Sequence, residues 1–274
     1  MLRRLKRSLK SDPYRELRAT LSARVPYLAS YHPADDTSQG PANEFTVASY
    51  NVHRWTGLAG GKRMNPDLAL HVLTELGADI IALQEVLRVF DGRDPLTEIA
   101  EELGYHVAFA TTRIHRRGEL GNALLARWPM KAVHAIDLNF GRFEQRSALG
   151  AQFSGHSLSV VATHLALVDR TRRRQVHSIL QHPRLQGPTL LLGDMNAWRK
   201  CPASRQLDDA FVNLHHNRDW PPTYPATRPV LALDRIYARG ATVEDLRAYS
   251  SASSRRGSDH LPILARIALT DEQQ

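Results

Sequence analysis

Six times along this chain a short apolar run borders on one or two polar side chains at the edge of an expected strand, and this recurrence constrains the fold more than any bulk property. The plainest case is Thr189-Leu190-Leu191-Leu192-Gly193-Asp194-Met195-Asn196-Ala197-Trp198. An apolar run closed by glycine reads as a buried strand whose C-terminal end opens into a loop. Side chains i and i+2 of an extended chain face the same way, so Asp194 and Asn196 share one cleft while Met195 turns aside. A carboxylate there can take or hold a proton, and a carboxamide can donate to an anionic oxygen. Standing alone, the stretch is also accounted for by a strand ending in a hydrogen-bonded Asx turn.

The other five cases repeat the plan. Phe45 to Asn51 alternates as a strand and runs into Asn51-Val52-His53 before a Gly-rich basic loop, Gly57 to Arg63. Pro66 opens a helix with Leu68, Val72, Leu73 and Leu76 on its apolar side, and Gly77 closes it. Ile80 to Leu83 is a buried strand ending at Gln84-Glu85-Val86, so strand, helix and strand follow one another as in a layered α/β domain. Residues 95 to 103 read as a helix, and Tyr105 to Ala110, Gly121 to Ala126 and Lys131 to Leu138 as extended. Ser147 to Phe153 and Ser157 to Thr163 form a hairpin around Ser154-Gly155-His156 and deliver Thr163-His164-Leu165. A basic helix follows over about 169 to 182. Asp234-Arg235-Ile236-Tyr237 lies on a later strand, and Ser258-Asp259-His260-Leu261-Pro262 enters the last one, which runs to about Leu269.

Taken singly, a glutamate after an apolar run is a solvated strand end and a histidine is a hydrogen-bonded bystander. Converging, the same groups supply oxygen ligands for a hard divalent cation, a base for water and donors for a developing oxyanion, which is what phosphoester hydrolysis needs.

Charge says less than its total suggests. The chain of 274 residues carries +8, but residues 1 to 24 hold eight basic side chains against two acidic ones and so account for +6 of it. A high pI is therefore a property of the tail and does not speak for the cleft. Leu2, Leu5 and Leu9 recur among those basic residues, and Asp12-Pro13 begins a second turn with Tyr14, Leu17 and Leu21. Such a segment can lie on an anionic membrane surface, pack on the domain or stay solvated. Residues 33 to 41 read as a linker, which divides the chain into a basic tail over 1–43 and a catalytic domain over 44–270. No apolar run reaches bilayer-spanning length and no secretory leader is recognisable, so the expected location is the cytoplasm. The single cysteine, Cys201, has no partner for a disulfide and no cysteine neighbour for a zinc site. No obligate protein partner is inferred.

Six motifs in order carry a resemblance: Ser49-Tyr50-Asn51, Leu83-Gln84-Glu85-Val86, Thr163-His164-Leu165, Gly193-Asp194-Met195-Asn196, Leu233-Asp234-Arg235-Ile236-Tyr237 and Ser258-Asp259-His260-Leu261-Pro262. Together they resemble the endonuclease/exonuclease/phosphatase superfamily, the deoxyribonuclease-I-like proteins, and above all its compact bacterial members. The resemblance implies a four-layered α/β sandwich of two packed mixed β-sheets flanked by helices, with Mg²⁺ or Mn²⁺ at one rim. It implies Glu85 as principal metal ligand with Asn51 and Asp259 beside it, and Asp194 orienting or deprotonating water. It further implies Asn196 on a nonbridging phosphate oxygen, His164 donating to the phosphate or leaving group, and His260, paired with Asp234, as base or stabiliser. Gly141 to Arg146 resembles a family segment that offers Arg146 as a phosphate contact, with a surface salt bridge as the plain alternative, and Asn122 matches a cleft-lining motif.

The same superfamily holds nucleases, deadenylases, DNA-repair phosphodiesterases, inositol-phosphate phosphatases and sphingomyelinases, so fold does not name the substrate. Arginines at 113, 116 and 117, at 170 and 172 to 174, and at 255 and 256 favour a nuclease acting on DNA or RNA. The alternative is a phosphodiesterase or phosphatase for phospholipid or small molecules at a membrane surface. For that alternative speak the basic tail and Trp55, Trp198 and Trp220, which stand beside site motifs, Trp198 as a substrate contact. His164 stands where abasic-site enzymes carry a tyrosine-containing segment. A non-catalytic binding protein on the same fold would have lost Glu85, His164, Asp194 or His260, and all four are present.

Overall fold

The structure is a computed structural model and describes residues 15–22, 29–35, 40–61, 63–140, 145–154, 157–211 and 220–270. From edge to edge, one sheet runs β1 (Ala29–His32), β4 (His106–His115), β5 (Gly118–Ala126), β3 (Ile80–Val89), β2 (Glu44–Asn51), β12 (Ile263–Leu269) and β11 (Ala241–Ala248). The other runs β10 (Asp234–Arg239), β9 (Thr189–Asp194), β8 (Ser159–His164), β7 (Ser147–Phe153) and β6 (Met130–Asp137). Each is mixed: β2 with β3 and β8 with β9 are parallel pairs, and their other neighbours run antiparallel.

Three apolar clusters fill three spaces and so define four layers. Val47, Ile80 and Leu124 from the first sheet meet Leu149, Val160 and Leu190 from the second between the two sheets. On the outer face of the first sheet, Val72, Leu73 and Leu76 of α2 (Pro66–Leu76) and Leu96 and Ile99 of α3 (Pro95–Leu103) pack on Ile81, Leu83 and Val107. On the outer face of the second, Val176 and Ile179 of α4 (Asp169–Leu180) and Leu207 of α5 (Pro202–Ala210) pack on Val161 and Leu191. The β2–α2–β3 and β8–α4–β9 crossovers are what make the two parallel pairs, since parallel strands need a long return. The four-layered sandwich implied by the resemblance is the fold observed.

Residues before 44 also join the larger sheet. Ala29–His32 pairs antiparallel with β4 and closes one edge of the larger sheet, and α1 (Arg15–Ser22) reaches the same region, with Arg18 donating to the Arg116 carbonyl at 3.5 Å. The sequence of β1, Ala29-Ser30-Tyr31-His32, carries almost no apolar alternation because an edge strand buries little of either face. Residues 1–14, Gly141 to Glu144 and Gly155-His156 lie outside the described residues. Among the described residues, no helix is long and apolar enough to cross a membrane.

On the edge strand β6, His134 stacks on His182 just beyond α4, with ring centroids 5.0 Å apart and planes 12° from parallel. Gly150 forms the floor, because a Cβ there would come within 2.5 Å of the His134 ring. Burial first, then His182 and Arg184, pull His134 from its ordinary 6.5 to about 4, and burial and Arg184 lower His182 as well. Between about pH 6.5 and 4 the unfolded chain takes up protons that the folded pair refuses, so stability falls as pH drops through that window. His134→Phe keeps the stack and removes one of the two protons. The fall in the urea midpoint from pH 7 to pH 4 is expected to be shallower in that variant, and an identical fall would remove the pair from the acid response.

Candidate active site

The strand directions bring the polar ends together. β2, β8 and β9 end, and β7, β10 and β12 begin, on one rim, while β3 does not stop at Gln84-Glu85-Val86 as expected but bulges there and runs on to Val89, so residues as far apart in sequence as Asn51 and His260 meet there. Asp194 is the hub. It is buried at the end of β9, where its Oδ1 accepts from the Asn196 amide at 2.9 Å. Its Oδ2 lies 3.3 Å from Asn51 Nδ2, 3.4 Å from His164 Nε2 and 3.7 Å from His260 Nε2. Side chains from the ends of β2 and β8 and from the approach to β12 thus aim at one carboxylate oxygen.

Behind it stands a relay. His260 Nδ1 lies 2.8 Å from Asp234 Oδ2, which also accepts from Thr223 Oγ1 at 2.6 Å. This leaves Nε2 facing Asp194, the arrangement in which a buried carboxylate fixes a ring's orientation and favours its charged form. Burial lowers the His260 pKa, but Asp234 and Asp194 outweigh it and push it up to about 10. Burial likewise raises Asp194, to about 6, against the pull of His260, with Asp234 adding to the rise. His164 is driven the other way: burial first, then Arg146, His260 and Arg113, hold it well below its ordinary range. At neutral pH the pocket therefore contains a charged imidazole, a neutral one and a carboxylate that titrates close to neutrality.

Backbone strain gathers at these residues. Glu85 has φ +52°, Asn196 +49°, and His53, Arg54 and Trp55 have +45°, +58° and +61°. Such values are rare for residues with a Cβ and persist only where the surroundings enforce them. For Glu85 the cause is a bulge: the β3–β5 register breaks between Leu83 and Val86, which re-aims the side chain. Its carboxylate faces Arg54 Nε at 3.5 Å, while the adjacent His53 Nδ1 lies 3.4 Å from Asp259 Oδ1, so one tight turn reaches both acidic groups. Asn51 is tied to this turn by its Oδ1, which accepts from the His53 amide at 3.1 Å. Gly193 has no alternative at its position, where a Cβ would fall 1.9 Å from the Thr163 carbonyl.

A cleft of about 150 Å³ opens beside the hub, lined by Glu85, His164, Asn122, Arg146, Arg54 and Arg113 among others. Asn122 donates to the Ser147 carbonyl at 2.8 Å, and its own Oδ1 has no hydrogen-bond partner although it is buried. Trp198 does not line this cleft. It stands 48% exposed beside an adjoining hollow formed with Leu167, Arg199 and Lys200. Trp55 and Trp220 are packing residues: Trp55 is fully buried with its indole donating to the Leu87 carbonyl, and Trp220 tilts on Tyr237 beneath Arg235.

Two arginines have a duty that sequence reasoning missed. Arg172, counted above with a basic run on α4, is buried, and its Nη1 donates to the carbonyls of Ala166, Leu167 and Asn196 at 2.9, 3.1 and 2.6 Å. Arg235 donates to the Ala197 carbonyl at 2.5 Å. Together they clamp the two loops that follow His164 and Asp194. Cys201 is buried on the same clamp, 3.7 Å from Arg172 Nη2. Thr223 and Ser258 were also missed. Ser258 Oγ donates to the Asn51 carbonyl at 2.6 Å and receives the His260 amide at 3.3 Å. Small hydroxyls in loops carry no periodic signal by which to pick them out.

A model of the Endonuclease/Exonuclease/phosphatase family matches residues 49–260, well over half the chain. The chain belongs to this family. Its members are in general hydrolases acting on phosphoester bonds. Among its relatives is the uncharacterized protein YbhP of Escherichia coli K12, 27% identical over 247 residues, spanning 82% of this chain and 96% of that one. Solved structures share the fold. The endonuclease/exonuclease/phosphatase of Beutenbergia cavernae has a TM-score of 0.66 at 22% identity, covering 83% of this chain and 72% of that one. The human nocturnin catalytic domain has 0.65 at 20%, covering 88% and 97%. The mannosyl-6-phosphatase of Bacteroides thetaiotaomicron has 0.63 at 14%, covering 81% and 99%.

Proposed function

We propose that this family member hydrolyses phosphodiesters with a bound divalent cation, Asp194 taking the proton of the attacking water. The observation that carries it is the single buried oxygen, Asp194 Oδ2, held within 3.3 to 3.7 Å of Asn51, His164 and His260, with His164 also lining a cleft that holds three arginines. A carboxylate whose pKa lies near 6 is matched to proton abstraction at neutral pH. An imidazole raised to about 10 is already protonated there, which makes His260 a stabiliser of charge on the pentacoordinate phosphorus and not a base. His164, neutral, offers an N–H to the phosphate or the leaving oxygen. One amide N–H of Asn196 is spent on the Leu165 carbonyl at 2.8 Å, and the other is left for a nonbridging oxygen. Arg146 and Asn122 face the same phosphate from across the cleft.

Glu85, Asn51 and Asp259 have the donor chemistry of a site for a hard cation such as Mg²⁺ or Mn²⁺, oxygen atoms on three segments that the His53–Arg54 turn touches one by one. Such an ion would neutralise phosphate charge and lower the pKa of a bound water. A different group, Asp194, Asp234 and His260, has its ligand atoms within 4.8 Å of one another. It suits a cation less, because Asp234 and His260 are bonded to each other and His260 is charged.

The test is hydrolysis of bis(p-nitrophenyl) phosphate by the purified chain. Turnover is expected with Mg²⁺ or Mn²⁺ and abolished by EDTA, with Glu85→Gln raising the cation concentration for half-maximal rate by at least about tenfold. No turnover with either cation, or turnover indifferent to EDTA, defeats the proposal. Of the three arginine runs that favoured nucleic acid, Arg172 is committed to the loop clamp, and Arg255 and Arg256 donate to the carbonyls of Thr227 and Ala252. Only the run at 113 to 117 borders the cleft, through Arg113.

A further inference from the structure

Among the described residues, exposed large apolar side chains are strongly localised. The five large ones most open to solvent among the described residues are Leu58 (38%), Leu167 (61%), Val168 (51%), Trp198 (48%) and Val230 (66%). All five stand on loops that leave the active-site rim. Leu58 follows the His53 turn, Leu167 and Val168 follow His164, and Trp198 follows Asn196. Val230 tips the loop anchored at Tyr224, whose ring lies 5.0 Å from His260. The opposite rim, with its turns at 77–79, 104–105, 127–129 and 186–188, has none of them. An apolar set of this kind, gathered on one face, marks an interaction surface, whereas scattered single exposures do not.

Exposed cations stand on or beside each of these loops: Arg63 with Leu58, Arg170 at the start of α4 next to Leu167 and Val168, Arg199 and Lys200 with Trp198, and Arg228 with Val230. No carboxylate occurs in 57–65, 197–201 or 224–231, and the one beside Val168, Asp169, is paired with Arg172 at 3.4 Å. Apolar tips backed by cations match the boundary of an anionic bilayer, where aliphatic and indole groups enter the headgroup layer and basic groups meet lipid phosphate. Single-stranded nucleic acid fits less well, since binding of bases needs π-faces and four of the five side chains are aliphatic. We infer that the active-site rim docks on an anionic phospholipid surface, presenting the cleft to a headgroup phosphoester. What the docked cleft then does rests on the phosphodiesterase reading, but the docking is measurable without turnover.

The full chain is mixed with phosphatidylcholine vesicles containing about 30% phosphatidylglycerol and followed by sedimentation and tryptophan emission. Wild-type protein is expected to pellet with these vesicles, less so in high salt, and its emission to shift to the blue, with the shift missing in Trp198→Phe. Leu167→Ser/Val168→Ser/Val230→Ser should bind at least about tenfold more weakly while hydrolysing bis(p-nitrophenyl) phosphate at the wild-type rate, which certifies its fold. Absence of vesicle binding, or binding unchanged in the triple variant, overturns the inference. So does pelleting with no emission shift, which would place the contact in the basic N-terminal segment. Loss of single-stranded DNA binding in the triple variant with vesicle binding intact assigns the rim to nucleic acid instead. Failure of hydrolysis with vesicle binding intact defeats only the catalytic proposal.

Discussion

Asp194→Asn is expected to lower kcat on a soluble phosphodiester by at least about a hundredfold, the effect of removing a positioned proton acceptor. The carboxamide keeps the shape of the side chain, so the lost quantity is basicity. The variant should not be less stable. Burial raises the Asp194 pKa to about 6 from its ordinary 3.8, so the folded state holds that proton more tightly than the unfolded one. Stability from this group is present below pH 3.8 and lost as pH rises through about 6, which means the ionised carboxylate costs stability at neutrality. A neutral carboxamide in its place removes that cost, as expected where function is maintained against stability. A thermal midpoint at pH 7 no lower than wild type, with activity nearly gone, is the predicted pair of results. In the wild type, activity should rise with pH through a limb near 6, drawn lower by bound cation, and the limb should be missing in the variant. Wild-type turnover by Asp194→Asn would take the residue out of the mechanism.

His260→Ala is expected to cost at least about a hundredfold as well, but its pH signature differs. With its pKa raised to about 10 through Asp234 and Asp194, His260 contributes as a cation, so its contribution is present below about pH 10 and lost above it. A base with the same pKa would show the reverse, activity appearing only as pH approaches 10. A plateau between about 6 and 10 supports the charged role, and a rate that climbs steadily to pH 10 refutes it. Asp234→Asn should bring the alkaline limb down toward neutrality, because the strongest support for the imidazolium is gone. Because Asp194 and His260 face each other at 3.7 Å, their effects should not add, and the double alanine variant should be little slower than the worse single one.

Much of this site is legible along the chain, for a physical reason. A buried strand must be apolar on both faces, so a carboxylate, carboxamide or imidazole at its end or at a bulge within it stands out against its neighbours, as Asp194 does after Leu190 to Leu192 and Glu85 after Ile80 to Leu83. Glycine at 193 is equally visible, since only it fits against the Thr163 carbonyl. Less of the periphery can be read. The edge strand Ala29–His32 has no alternation to betray it, and Thr223 and Ser258 are ordinary loop hydroxyls until their partners are known.

Arginine is the side chain on which sequence reasoning is weakest. In the run 170 to 174, Arg170 is exposed and Arg172 is buried under three carbonyls; helical spacing from Val176 and Ile179 puts Arg172 on the inner face, but its partners come from distant loops. The chain by itself determined the α/β layering, the order of the polar strand ends and the kinds of group they bear, because alternation and burial are local properties of a strand. Tertiary structure alone decided which groups touch Asp194, which imidazole is charged and which is neutral, and that the large exposed apolar side chains among the described residues share one rim. Those outcomes depend on distances between segments far apart in sequence, and electrostatic energy and solvent exposure are set by such distances.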